Sequence, residues 1–261
     1  MDIPVYQIDA FTDQPFAGNP AAICPLDGWL EDELMQAIAA ENNLSETAFF
    51  VANESGGYDL RWFTPAAEVD LCGHATLATA SLLMDTLTPE AHEVRFETRS
   101  GTLTVVREAN LFVMDFPALI ADEMDPPDGF ADAIGAVPVT FLRAIKNMAV
   151  FETEAEVRAV NPDFDYIAGL QGMGLIITAP GQSSDCASRY FAPQLGIDED
   201  PVTGSAHCTI VPYWAARLGK VEIHARQVSA RGGDLFCQLD GDRVRIGGQA
   251  VKFLSGRIYL P

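Results

Sequence analysis

The chain has 261 residues, 48% hydrophobic and 20% charged, a length and balance that suit two globular domains of about 130 residues each and argue against disorder. Lys and Arg number 16 against 37 Asp and Glu, and the net charge of −21 repels nucleic-acid phosphates and anionic lipid surfaces, which argues against both as partners. The cysteines at 24, 72, 186, 208 and 237 lack paired spacing, the start has no basic and apolar leader, and no apolar run reaches about 18 residues; the expectation is a cytoplasmic chain without disulfides or a membrane span.

Residues 4–11 alternate as a strand, Phe16-Ala17-Gly18-Asn19-Pro20 breaks it with turn chemistry, and residues 21–26 resume as a strand. Behind the acidic stretch Glu31-Asp32-Glu33, which suits the positive end of a helix, Leu34, Ala37 and Ile38 recur at helical spacing toward a stop at Asn42-Asn43. Residues 44–51, with Glu46 at the leading edge, and residues 58–63 carry strand formers. Asp70-Leu71-Cys72-Gly73-His74-Ala75-Thr76 then forms a polar Gly turn feeding a helix over 75–84. That helix has almost no polar face, so it is expected to be buried at the centre of its domain. Strands over 94–97, 102–107 and 111–116 follow, and the acidic, Pro-rich residues 122–128 read as a linker.

The second half repeats this plan. Arg61-Trp62-Phe63-Thr64-Pro65 returns as Arg189-Tyr190-Phe191-Ala192-Pro193, and the Gly turn returns as Asp200-Pro201-Val202-Thr203-Gly204-Ser205-Ala206, feeding a helix over 206–218. Arg99-Ser100-Gly101 matches Arg231-Gly232-Gly233, and the slightly larger later offsets place a short insertion around residues 196–199. Three landmarks in one order predict an α+β protein of two pseudo-symmetric domains, 1–120 and 121–261. Each Gly turn puts unpaired N–H groups at a helix start, a natural seat for a carboxylate or phosphate.

Phe16-Ala17-Gly18-Asn19-Pro20, Asn43-Leu44-Ser45-Glu46-Thr47, the first Gly turn and the second one through His207 together resemble the PhzF-like isomerases of phenazine biosynthesis, within the diaminopimelate epimerase superfold. The resemblance spans nearly the whole chain. It implies two domains, each a β-barrel-like sheet wrapped around a central helix, with the last strand, over 251–261, crossing back to the first domain. It also implies a homodimer acting on a small carboxylate-bearing molecule by proton transfer, without metal, flavin or pyridoxal cofactor. The transferring carboxylate falls on Glu46, its polar partners on His74, Asp200 and Ser205, and the surrounding ligand contacts on Asn19, Asp70, Cys72, Gly73, Thr203 and Gly204.

Related epimerases use two thiols. Here Cys72 holds the first position but Thr203 holds the second, and a hydroxyl cannot replace a thiolate near neutral pH, so a single Glu46 shuttle is the more consistent chemistry. Taken alone, Glu46 reads as a solvated strand residue, His74 as a capping or core histidine, and Asp200 and Ser205 as turn and cap choices. Two other functions stand beside the isomerase: a small-anion-binding protein without turnover, and a metal hydrolase built on His74, His207 and Cys208. The spacing Cys-x-His and His-Cys fits no common zinc motif, and no phosphate-binding Gly loop is present.

Overall fold

Alternating apolar residues in both halves of the chain fold as strands, and the two apolar runs behind the Gly turns fold as helices; the structure, a computed structural model, describes residues 1–260. The first half forms β1 (Asp2–Ala10), β2 (Asn19–Leu26), α1 (Asp32–Asn42), β3 (Glu46–Ala52), β4 (Tyr58–Phe63), β5 (Glu68–Val69), α2 (Gly73–Leu82), β6 (Glu93–Thr98), β7 (Gly101–Glu108) and β8 (Leu111–Pro117). There follow β9 (Asp122–Met124), α3 (Phe130–Ile134), β10 (Thr140–Arg143), β11 (Asn147–Val150), α4 (Glu154–Ala159), α5 (Phe164–Ala168), β12 (Leu175–Pro180), β13 (Cys186–Ala192) and β14 (Ile197–Asp200). The chain closes with α6 (Gly204–Leu218), β15 (Glu222–Gln227), β16 (Gly233–Asp240), β17 (Arg243–Gly248) and β18 (Ala250–Tyr259).

Two compact units divide the chain: Met1–Asp115 with the segment from Gly247 onward, and Phe116–Ile246. The crossing into unit 2 runs along β8 and the return along β17, so β18 lies in unit 1, antiparallel to β1. Pro261, the end of the last strand read from the sequence, lies outside the described residues. The acidic stretch expected to be a linker instead begins with β9, which pairs with β10. Its three residues are exposed, and backbone pairing does not need the apolar alternation that the sequence reading looked for.

In unit 1 the strand order is β18-β1-β2-β3-β4-β6-β7-β8, with β2–β3 and β4–β6 parallel and the other neighbours antiparallel. The helix α2 lies against β1, β2 and β3 and also against β7 and β18, strands from both ends of that order, so the sheet curls around it. Every residue from His74 to Leu82 is buried, which is why the sequence of this helix has no polar face. It begins at Gly73, two residues earlier than read from the sequence, because the Thr76 N–H already bonds the Cys72 carbonyl at 3.1 Å. Outside the sheet, α1 lays Met35, Ile38 and Ala39 on Ile3, Cys24, Phe49 and Phe63. Burying a side chain of the size of Met35 or Ile38 contributes about 1.5–3 kcal/mol.

Unit 2 follows the same plan: β11–β12 and β13–β15 are parallel, and β10–β11, β12–β13 and β15–β16 antiparallel, with α6 against β15 and β16. Its outer core gathers Phe130 and Ile134 of α3, Val157 of α4 and Ile167 of α5 with Phe141, Phe151 and Phe191. Among the described residues no helix is long and apolar enough to cross a membrane.

One device recurs in both units. Arg61 of β4 grips Glu68 of β5 with Nε and Nη2 at 2.7 and 2.8 Å, and Arg189 of β13 grips Glu199 of β14 at 2.7 and 2.9 Å. Each guanidinium also lies over a phenylalanine two residues on, Phe63 at 5.2 Å and Phe191 at 4.9 Å. A bidentate fork fixes both position and direction of a carboxylate, so each pair ties the short strand that leads into the Gly turn to its neighbour. The turns are thereby held at the helix starts.

Candidate active site

In unit 1 the first helix residues meet the first residues of two parallel strands. Asn19 opens β2, Glu46 opens β3, and β2 and β3 run parallel with Ala21 opposite Glu46, so both polar residues stand at the same end of the sheet. His74, second in α2, reaches both: Nε2 is 3.0 Å from Glu46 Oε2, and Nδ1 is 3.2 Å from Asn19 Nδ2. Cys72, the residue before the helix, places its Sγ 3.4 Å from the same Nδ1. All four side chains are buried. Asp70 is not part of the cluster: its carboxylate faces solvent with Arg99 Nη1 at 3.8 Å, and its carbonyl accepts from Ser100 Oγ.

These contacts define the chemistry available. His74 Nε2 stands at ion-pair distance from the Glu46 carboxylate, and Nδ1 lies within hydrogen-bond reach of the Asn19 side-chain amide and the Cys72 sulfur, the donor in each contact being set by the protonation of the ring. Burial alone pushes the His74 pKa down, but the Cys72 sulfur and the Glu46 carboxylate pull it up and prevail, to well above the ordinary histidine value of 6.5. The Cys72 thiol is pushed up to about 11, by burial first and then by the Glu46 charge, with His74 opposing. Near neutral pH it is a thiol, without the thiolate that a two-thiol mechanism needs.

Cys72 sits at the cap position in an extended conformation, and its side chain does not cap the helix. Thr203 holds the corresponding position before α6, again without a side-chain cap, and Gly204 and Ser205 occupy the places that Gly73 and His74 have in α2. Thr203 instead turns its hydroxyl to Asp200, donating to Oδ2 at 2.5 Å. Both helix starts therefore keep their first N–H groups clear of a side-chain acceptor.

Gln227, buried in β15, holds this second turn: its Oε1 accepts from the Thr203 N–H at 2.9 Å and its Nε2 donates to the Asp200 carbonyl at 2.7 Å. The sequence has no signal for it, since a single Gln in a strand belongs to no motif and its partners are 24 and 27 residues away. The expected residues Asn19, Glu46, Cys72 and His74 thus come together in unit 1, and Asp200, Thr203, Gly204 and Ser205 come together in unit 2.

The duplication is not carried through to the carboxylate. Trp62 pairs with Ala48 and Tyr190 with Ile176, a shift of 128 residues for both partners, so the unit 2 counterpart of Glu46 is Gly174. Gly174 has φ +85°, and a Cβ there would stand 2.4 Å from the Phe191 carbonyl oxygen. No side chain fits that position. Asn147, which opens β11 as Asn19 opens β2, is also buried, but its Nδ2 donates to the carbonyls of Gln171 and Gly174 rather than to a histidine.

Among the described residues, the His, Cys, Asp and Glu side chains close enough to share a metal ion are Glu46, Cys72 and His74, whose donor atoms lie within 4.8 Å of one another. His207 turns Nδ1 to the Thr203 carbonyl at 2.8 Å, and burial pushes the Cys208 thiol up to about 11. In unit 2, His207 serves the first turn of α6, and Cys208 is a protonated thiol in its interior.

A buried helix wrapped by strands, built twice in one chain with polar residues at each helix start, defines a protein of the epimerase fold. The sequence profile of phenazine biosynthesis-like proteins matches residues 8–256, and the chain belongs to this family. An uncharacterized isomerase of Pseudomonas aeruginosa is 50% identical over 260 residues, which covers 100% of both chains. A crystal structure of a PhzF-family protein of Enterococcus faecalis superposes with a TM-score of 0.97 at 43% identity, covering 100% of each chain. A hydroxyproline epimerase of Agrobacterium vitis shares the fold, with a TM-score of 0.66 at 10% identity over 98% of this chain and 92% of that one.

Proposed function

We propose that the protein is a cofactor-independent isomerase that moves a proton on a small carboxylate-bearing metabolite, with Glu46 as the acid and base. The observation that carries this reading is the buried Glu46–His74 contact of 3.0 Å, present in one unit while the equivalent position of the other is Gly174. One carboxylate with no counterpart suits a shuttle better than a symmetric pair of bases.

In the proposed step a C–H bond next to the substrate carboxylate breaks. Its electron pair stays with the substrate as an enolate-like charge and its proton goes to a Glu46 oxygen. The same proton then forms a new C–H bond at another carbon or on the opposite face. The His74 imidazole, 3.0 Å from the Glu46 carboxylate, holds it in place as its charge partner, and the Asn19 and Cys72 contacts fix the ring. The uncapped N–H groups at the start of α2, the helix that carries His74, offer electrostatic stabilisation to the developing charge.

The test follows product formation and carbon-bound deuterium together for a panel of hydroxy, amino and unsaturated carboxylic acids in heavy water, so that a shielded proton is not missed. Glu46→Gln keeps the size and hydrogen bonding of the side chain but removes the base, so turnover is expected to fall by ~10²–10⁴ with ligand affinity retained. Wild-type turnover in Glu46→Gln overturns the shuttle.

A further inference from the structure

The chain contains three lysines. Two have partners and lie toward the surface: Lys220 Nζ is 2.6 Å from Asp185 Oδ1, and Lys252 Nζ is 3.3 Å from Thr86 Oγ1. Lys146, between β10 and β11, is different. It is 6% exposed, and among the described residues its ammonium makes neither a hydrogen bond nor an ion pair. Its neighbour is the ring of Tyr190, whose centroid is 5.6 Å from Nζ.

That tyrosine places the lysine. Tyr190 of β13 is the cross-strand partner of Asp200, the last residue of β14, and its hydroxyl donates to the Met173 carbonyl, beside Gly174. The ammonium therefore lies on the strand pair that leads into the Asp200–Ser205 turn, at the same sheet end as Asn147 and Gly174. Asp200 is not its counter-ion: Oδ2 takes the Thr203 hydroxyl, and Asp200 and Cys208 act on the ammonium only from a distance. Burial holds the lysine pKa below its ordinary value, with those two groups opposing.

A chain with 37 carboxylates leaves one of its three ammonium groups buried without one. A largely buried cation whose Nζ still reaches solvent but meets no side-chain partner is poorly solvated, and a ligand anion that completes the pair offsets that cost on binding. We propose that Lys146 is a ligand-binding residue of unit 2, whose ammonium receives a carboxylate group of the small molecule addressed by the Asp200–Ser205 turn. This rests on the reading that the ligand is a carboxylate, and it assigns the cation that the helix starts do not supply.

The experiment uses oxalate as the probe and needs no turnover. Reductive dimethylation with ¹³C-formaldehyde labels the lysines without removing their charge, and Lys146→Arg assigns the Lys146 signal by its loss. Titrated with sodium oxalate against sodium chloride of equal ionic strength, the Lys146 signal is expected to move saturably while those of Lys220 and Lys252 stay. By calorimetry, Lys146→Met is expected to weaken oxalate binding by ~10-fold or more, the value of one charge-assisted contact, and Lys146→Arg to restore most of it. A Lys146 signal that moves no more than the other two overturns the assignment, and this measurement on the wild-type chain stands even if Lys146→Met does not fold. Failure here with Glu46→Gln inactive leaves the shuttle intact, whereas an active Glu46→Gln with a responsive Lys146 signal removes the shuttle and keeps the anion contact.

Discussion

His207 is the fourth residue of α6, fully buried, with Nδ1 at 2.8 Å from the Thr203 carbonyl oxygen, so the neutral ring donates there and secures the first turn of the helix. Burial pushes its pKa from the ordinary 6.5 down to about 4, and the bond to Thr203 opposes this only in part. The folded value lies below the unfolded one, so between these pH values the unfolded chain takes up a proton that the native chain refuses. Stability from this group is complete above about pH 6.5 and is lost as pH falls toward 4. At about 1.4 kcal/mol per unit the full loss is about 3 kcal/mol, with about 2 kcal/mol gone by pH 5, against a typical total of 5–15 kcal/mol. The assay is urea unfolding at pH 7.5 and 5.0 for the wild type and for His207→Asn, whose amide can still donate to Thr203 but does not titrate. The wild type is expected to lose about 2 kcal/mol more than the variant between the two conditions. Equal losses would refute the assignment of acid sensitivity to His207. His74 has the opposite sign: its folded pKa is raised, so its contribution is complete below about pH 6.5 and disappears as pH rises through the folded value, outside the acid window.

Cys72→Ser is expected to be far milder than Glu46→Gln, with turnover within ~10-fold of wild type, because the thiol at about 11 is already protonated and a hydroxyl can replace its contact to His74; an inactive Cys72→Ser beside an active Glu46→Gln makes the sulfur the base. Arg189→Met leaves Glu199 and the carbonyls of Val157 and Val160 without their guanidinium partner at a site 13% and 22% exposed. After allowance for solvent screening the loss is about 1–3 kcal/mol in urea unfolding, and an unchanged midpoint removes the Arg–Glu pair as a determinant of stability. Dialysis against a chelator, followed by elemental analysis, is expected to leave turnover unchanged; loss of activity restored by zinc would assign Glu46, Cys72 and His74 to a metal instead.

The sequence by itself determined the repeated plan, because its signals are local. A Gly turn followed by an all-apolar run needs no distant residue to be read as the start of a buried helix, and α2 and α6 begin within two residues of where the pattern placed them. The family resemblance likewise rests on contiguous motifs, and it named Glu46 and His74 before any contact was visible. What lay between motifs was decided by the tertiary structure. The acidic, Pro-rich stretch became β9 because β10 offered it a backbone partner, and backbone pairing leaves little trace in side-chain pattern. Asp70, though part of the first motif, turns to solvent, while Asn19 reaches His74 across 55 residues. Gly174 as the counterpart of Glu46 follows only from strand register, since it shares no motif with it. Gln227 and Lys146 were silent for the same reason: a buried polar or charged side chain acquires its meaning from neighbours that the fold brings together, and linear spacing does not encode them.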